Sequence, residues 1–457
     1  MKQFLVAALL GLSLTAQAQI GIGPVPQEPT PGTDAGNCIS AADMTQIAKD
    51  FKQFASLSGK EYCHDGSQQA HLLAGIHYIR KVQFNQPMTN SSDELFKGTF
   101  AGDWYKYTTN LVKTFKIESS CPTGVIAFVY GFFHQNTMHV CPMALTPSFT
   151  PLDLASVFMH EARHIEGYPH VTCSQGPRAG LNGACDKKIS DAGSYAVTVE
   201  TYAQLGAYGK DIHPAHRALA QASSLIYAAE AFQTPVKINK EEAFLALTLD
   251  RELYQIDSNL KSAKLIGSTE KHGNFAKSKM GLIFLPEDKT LPMVKIFPTG
   301  ETSPTSSEYN DNVATRSNVV DYYFAWTWNA RIEKNKVKFF CDKRENPTQA
   351  NEVSISGALS VVYPEGYAPD KNYAYVKTSN GVVKISCEGS TGKVVAANNV
   401  TVDADVKRVQ KANSTLIGLT NDGDLLNLSN NSSRLDLGIG AVVDVTSFTR
   451  ATFFDKQ

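Results

Sequence analysis

The chain has 457 residues, with 43 Lys and Arg against 44 Asp and Glu and a formal net charge of −1 at pH 7. That balance leaves no basic footprint for nucleic acid or an anionic membrane surface, and the length predicts two or three domains. With 42% hydrophobic and 19% charged residues, the composition excludes disordered and fibrous classes and fits a globular protein.

The first segment reads as an address. Met1-Lys2 is a short positive start, Phe4 to Leu14 an apolar run, and Ala16-Gln17-Ala18 an A-x-A cleavage site, the pattern of a secretory signal peptide. The run is shorter than the ~20 residues a transmembrane helix needs, and no cysteine follows the cleavage site to take a lipid. The expectation is a signal peptide over 1–18 and a secreted or periplasmic chain with no transmembrane segment. Residues 19–37, rich in Gly, Pro and Thr, read as a disordered leader.

Residues 40–115 read as helical. Met44, Ile47, Ala48, Phe51 and Phe54 make one stripe at helical spacing, and Leu72, Leu73, Ile76, Ile79 and Val82 another. Val125 to Tyr130 and Thr137 to Cys141 are short apolar runs that read as strands joined by a turn. The segment 137–141 is the candidate for an edge strand that aligns a peptide by backbone pairing.

Eight cysteines in an exported chain predict disulfides. Their order suggests sequential pairing: Cys38 with Cys63, Cys121 with Cys141, Cys173 with Cys185, and Cys341 with Cys387. Spacing alone leaves 105 connectivities open. A bridge between Cys173 and Cys185 would staple the loop that follows His170.

Thr150-Pro151-Leu152-Asp153 is a helix start, with an N-cap threonine, proline at the first position and an acid in the first turn. Leu154, Val157, Phe158 and Ile165 continue it as an apolar stripe. The helix then carries His160-Glu161-Ala162-Arg163-His164-Ile165-Glu166-Gly167-Tyr168-Pro169-His170. Histidines four apart share a helical face and are able to bind one Zn²⁺. Glu161 is placed to take a proton from a metal-activated water. Gly167 permits a sharp turn that returns His170 to the same ion.

This string resembles the zinc signature of the metzincin clan of metalloendopeptidases. The resemblance covers residues 160–170 and implies His160, His164 and His170 as ligands of Zn²⁺, with Glu161 as catalytic base. That clan also sets a methionine turn beneath the metal; the first methionine after this motif is Met280.

Three helical segments are expected next, near 191–206, 214–233 and 239–258. The first carries Tyr195 and Glu200. Glu200 is the rival third ligand, as in zinc peptidases of the glutamate-ligand type, and Tyr195 is a candidate oxyanion stabiliser. From about residue 265 turn signals and short alternating strands dominate. Residues 376–386 and 419–429 share a strand–turn–strand pattern about 43 residues apart, close to a propeller blade. Phe284 to Ile296 and Trp326 to Phe340 read as further hairpins, with Trp326 and Trp328 as packing residues.

The expected fold class is α+β. A mainly helical, zincin-like catalytic domain with a small sheet occupies 38–262, and a β-rich domain, a small propeller or a sandwich, occupies 263–457. The expected function is zinc-dependent hydrolysis of peptide bonds in a protein or peptide substrate, with the β-rich domain binding substrate or the cell envelope. The alternative is a non-catalytic binding or adhesion protein whose β-rich domain carries function and whose zinc site is structural or vestigial.

Overall fold

A computed structural model describes residues 19–20, 38–85, 102–122, 125–130, 136–146, 149–175, 178–212, 214–269, 271–278, 281–288, 294–296, 302–304, 319–324, 329–333, 336–340, 351–362, 373–388, 391–396 and 405–451. The expected signal peptide lies outside the described residues, as do residues 21–37 of the leader, Met280, Trp326, Trp328 and Cys341. Gln19–Ile20, expected in the leader, forms a two-residue strand against Ser268 and Thr269.

The first half is built from α1 (Ala41–Asp50), α2 (Gln68–Lys81), α3 (Trp104–Leu111), α4 (Pro151–Ile165), α5 (Ser194–Tyr208) and α6 (Pro214–Glu230). Both expected stripes enter one core: Met44, Ile47, Phe51 and Phe54 meet Leu72, Leu73, Ile76 and Ile79. Ser40, Ser67 and Asp103 cap the first three helices by accepting a backbone N–H, each worth about 1 kcal/mol. Asp43 ties α1 to α2, with His77 Nε2 at 3.2 Å, Arg80 Nε at 3.1 Å and Lys81 Nζ at 2.9 Å.

A three-stranded sheet has the order β1 (Thr114–Ile117), β3 (Thr137–Val140), β2 (Ala127–Val129). β3 is parallel to β1 and antiparallel to β2. The segment expected to be the edge is therefore the centre, its backbone groups engaged on both sides. β2 is the outer strand beside α4, which packs between α2, α3, α5 and β2.

After α6 the chain turns to sheet. β4 (Lys240–Thr248), β5 (Glu252–Asp257) and β6 (Ala263–Thr269) form an antiparallel meander. β11 (Val442–Ala451) pairs antiparallel with the free side of β4. The third helical segment expected at 239–258 is thus two strands. Ala243 to Leu247 is fully buried, and such short apolar runs look alike in helix and strand. Its alternate residues serve two cores: Ala243, Leu245 and Leu247 pack with Phe275 and Phe448, while Phe244 and Ala246 pack with Ile417 and Val445. The domain boundary expected at 262/263 falls inside this sheet, between β5 and β6; the change from helix to sheet comes between Glu230 and Lys240.

Four more antiparallel groups follow. Their first strands are β7 (Gly273–Ser278), β8 (Val319–Phe324), β9 (Ala358–Val362) and β10 (Val406–Ala412). β7 and β8 meet in parallel at Lys277–Tyr323 and Ser278–Phe324, joining two groups into one eight-stranded sheet. The expected hairpins at 284–296, 376–386 and 419–429 are present. First strands contact one another in succession, β7 with β8, β8 with β9, β9 with β10 and β10 with β11, and β11 also contacts β7. Arg408 on β10 locks three of them: its Nε lies 3.1 Å from Asp444 of β11, and its Nη2 donates to Phe275 O of β7 at 2.9 Å.

Three disulfides pair as expected, Cys38–Cys63, Cys121–Cys141 and Cys173–Cys185. No helix among the described residues is long and apolar enough to cross a membrane.

Candidate metal centre

The site begins with the start of α4. Thr150 Oγ1 accepts from Asp153 N, and Asp153 Oδ2 accepts from Thr150 N, a reciprocal cap with Pro151 behind it. Leu154, Phe158, Met159 and Ala162 are buried and fix the rotation of the helix. That rotation leaves His160 and His164 half-buried on one face and puts Glu161 beside them at 7% exposure.

The helix ends as Gly167 N donates to His164 O, with Gly167 at φ +91°. Only glycine takes that conformation cheaply, and the reversal brings His170 back under the helix. Arg163 holds the turn: its Nε donates to Ala192 O at 2.7 Å and its guanidinium lies 3.6 Å over the Tyr168 ring. An antiparallel bridge of Val171 with Cys185, closed by the 173–185 disulfide, sets His170 opposite Asp186.

His160, His164 and His170 each offer a ring nitrogen within 4.8 Å of the others. Their Nδ1 atoms are all engaged elsewhere. His164 Nδ1 lies 2.6 Å from Tyr168 O, which only accepts, so His164 carries its proton there. His170 Nδ1 lies 3.0 Å from Asp186 Oδ1 and donates to that carboxylate. His160 Nδ1 lies 2.9 Å from Thr198 Oγ1, whose own hydrogen goes to Ser194 O, so the imidazole is again the donor.

With every Nδ1 protonated, each neutral ring presents a bare lone pair at Nε2. These converge: His160 Nε2 and His164 Nε2 each lie 3.0 Å from His170 Nε2. As neutral rings the three hold no proton at Nε2 for those contacts, and facing lone pairs repel unless a cation accepts them. Nitrogen ligands at the usual distance from one tetrahedral zinc are about 3.3 Å apart, so the donor set fits the ion implied by the motif.

Burial favours the neutral forms of His160, His164 and Glu161. Burial, followed by the neighbouring histidines, holds His160 well below the ordinary imidazole range. Burial, then His170, pushes His164 down to about 4. Burial alone pushes the Glu161 carboxyl up to about 8, and no hydrogen bond from a described residue reaches it. Positive charge brought to the histidines would oppose that shift and favour the carboxylate, the form that accepts a proton.

Glu200, the rival ligand, is fully buried on α5 but is not among the three clustered groups. Thr198 faces His160, and two residues further on a helix is a rotation of about 200°, so Glu200 projects from the far side. Tyr195 is at the site as a wall. Its ring stacks on His170 at 4.4 Å and meets His160 edge-on at 4.9 Å. Arg178, 2% exposed, has its guanidinium 5.0 Å from the centre of that ring. Sequence reasoning missed Asp186, Thr198, Ser194 and Arg178; no spacing rule singles them out, because they lie outside the motif, on the loop that follows it and on α5.

No family model matches the chain, and no curated protein matches it. Parts of it are similar to several solved structures. One is a symmetrical protein of de novo evolutionary emergence, at 12% identity over 44% of this chain and 93% of that one, with a TM-score of 0.27. Another is a protein of unknown function from Bacteroides caccae, at 11% identity over 46% and 99%, with a TM-score of 0.24. A third is apo AztD from Citrobacter koseri, at 11% identity over 46% and 62%, with a TM-score of 0.22. Likeness at this level carries no argument about the fold or the function of this chain.

Proposed function

We propose that this chain is an exported zinc-dependent hydrolase of peptide bonds. One observation carries the reading: three histidine Nε2 atoms converge, with a buried carboxyl, unbonded among the described residues, next to one of them on the same helix. His160, His164 and His170 would hold the ion. When bound, it supplies a Lewis acid that polarises a carbonyl and makes a water acidic near neutral pH. Glu161 accepts the proton from the attacking water and delivers it to the departing amine, so that water adds across the broken C–N bond and protons balance. Thr198, Tyr168 O and Asp186 hold the three rings in the tautomer that leaves Nε2 free. Tyr195, by its ring, fixes the planes of His160 and His170; its hydroxyl is the candidate oxyanion partner.

An extended substrate is best accommodated at β2, the outer strand beside α4, since β3 is enclosed by its neighbours. For the second half we propose a five-bladed propeller. The succession of contacts from β7 through β10 to β11, and the return of β11 to β4, support it, because a propeller closes by pairing its terminal strands in one blade. That unit would bind substrate or the cell envelope. The test of the catalytic reading is cleavage of a denatured protein by the zinc-loaded chain and by Glu161→Gln. Equal rates would remove Glu161, and with it the mechanism.

A further inference from the structure

We propose that Asp186 is a positioning residue whose single carboxylate both orients His170 and seats the N-terminus of α5, so that metal capture and docking of α5 are one event. The inference rests on the metal-centre reading and adds a residue that the motif does not contain.

Asp186 is 4% exposed and is held at both ends of its backbone. Its N–H donates to Ala231 O at 2.9 Å, its carbonyl accepts from Gln233 N at 2.9 Å, and its neighbour Cys185 is bridged to Cys173. The carboxylate therefore has a fixed origin. Oδ1 takes the His170 Nδ1 proton at 3.0 Å. Oδ2 accepts from Tyr195 N at 2.8 Å and Ala196 N at 3.2 Å, the first-turn donors of α5.

The N-cap of α5 is Gly193, which has no side chain to cap those donors. Asp186 supplies the missing cap from another segment, and its negative charge suits a helix N-terminus. The approach is so close that a Cβ on Gly193 would stand 2.5 Å from Oδ2. The same helix carries Thr198 against His160, Ser194 Oγ 3.1 Å from His164 Nδ1, and Tyr195 on His170. A shift of α5 would thus reach all three histidines.

Asparagine separates the two roles of the carboxylate. It has one acceptor oxygen and one NH₂ group. If the oxygen keeps the α5 donors, the NH₂ faces His170 Nδ1 and drives that ring's proton to Nε2, where the metal needs a lone pair. The fold keeps its cap while the ligand turns into a donor. Asp186→Asn is therefore expected to lower zinc affinity about 10–100-fold, the usual loss when such a partner is removed, measured by competition with a chelator. In the metal-free protein, ¹⁵N NMR of the imidazoles should show His170 protonated at Nδ1 in the wild type and at Nε2 in the variant. Gly193→Ala, which leaves Asp186 in place but displaces its carboxylate, should weaken zinc in the same direction and serves if Asp186→Asn does not fold. An unchanged His170 tautomer with zinc affinity within about threefold of wild type would overturn the proposal. If the wild type takes up no zinc, the metal-centre reading fails on its own, and the tautomer comparison still decides whether Asp186 orients His170.

Discussion

At the scale of single residues, the site is a problem of where four protons sit. Three Nδ1 atoms give theirs to Thr198, Tyr168 O and Asp186, and the proposed mechanism requires Glu161 to accept a fourth. Glu161→Gln keeps the shape and the histidines but cannot take a proton. It should retain one zinc per chain and lose roughly 10²–10⁴-fold in single-turnover peptide cleavage; a wild-type rate would show that Glu161 takes no proton. His170→Ala should cost zinc affinity by orders of magnitude. Glu200→Ala should leave zinc in place and cost stability instead, since Glu200 is fully buried. The cluster of His160, His164 and His170 was legible in the sequence because i, i+4 spacing and a glycine turn are local geometry. Thr198 and Asp186 were not, because their relation to the rings exists only once α5 and the disulfide loop have docked.

At the scale of elements, the histidine helix is placed by neighbours that have their own polar fastenings. Asp43 joins α1 to α2. Its burial alone would raise its carboxyl, but hydrogen bonds from Lys81, Ser40 and His77 prevail and hold it well below the usual carboxylate range. Its contribution is therefore present above the unfolded value near pH 4 and drains away as pH falls further. Asp43→Asn should lower stability by about 2 kcal/mol at pH 7, less than a fully enclosed pair because Arg80 and Lys81 reach solvent. The difference from wild type should shrink below about pH 4; a constant difference in denaturant midpoint down to pH 2.5 would show that Asp43 gains nothing from its charge. The start of α4 was readable from Thr150, Pro151 and Asp153. The segment 239–258 was misread as helix because a five-residue apolar run has no period, and only its pairing with β5 and β11 makes it a strand. The order β1-β3-β2 was equally hidden, since strand neighbours are set by tertiary contacts.

At the scale of the whole molecule, the chain changes from helix to sheet between Glu230 and Lys240, and β11 pairs back onto β4. The repeat near 43 residues was visible in the hairpins, whereas the return of the last strand to β4 pairs residues some 200 apart and leaves no local trace. Thr234 to Asn239 is mostly exposed, so limited proteolysis should cut there and not within Gly267 to Gly273, which lies largely in β6 and β7. Arg408→Met leaves Asp444 buried without its cation and should cost about 3 kcal/mol. Calorimetry should show the loss in the β-rich half alone, with zinc binding unchanged; a fall in zinc affinity would mean that the halves fold as one unit.

The central claim is that three histidines of this chain hold one zinc ion. The most direct measurement is X-ray absorption at the zinc edge on the purified, zinc-loaded protein, with metal content determined on the same sample. The account predicts one zinc per chain with three imidazoles in its first coordination sphere, and one imidazole fewer, or no bound zinc, in His170→Ala. Two imidazoles with a protein carboxylate in the wild type, or a zinc content that survives the loss of His160 and His164, would contradict it.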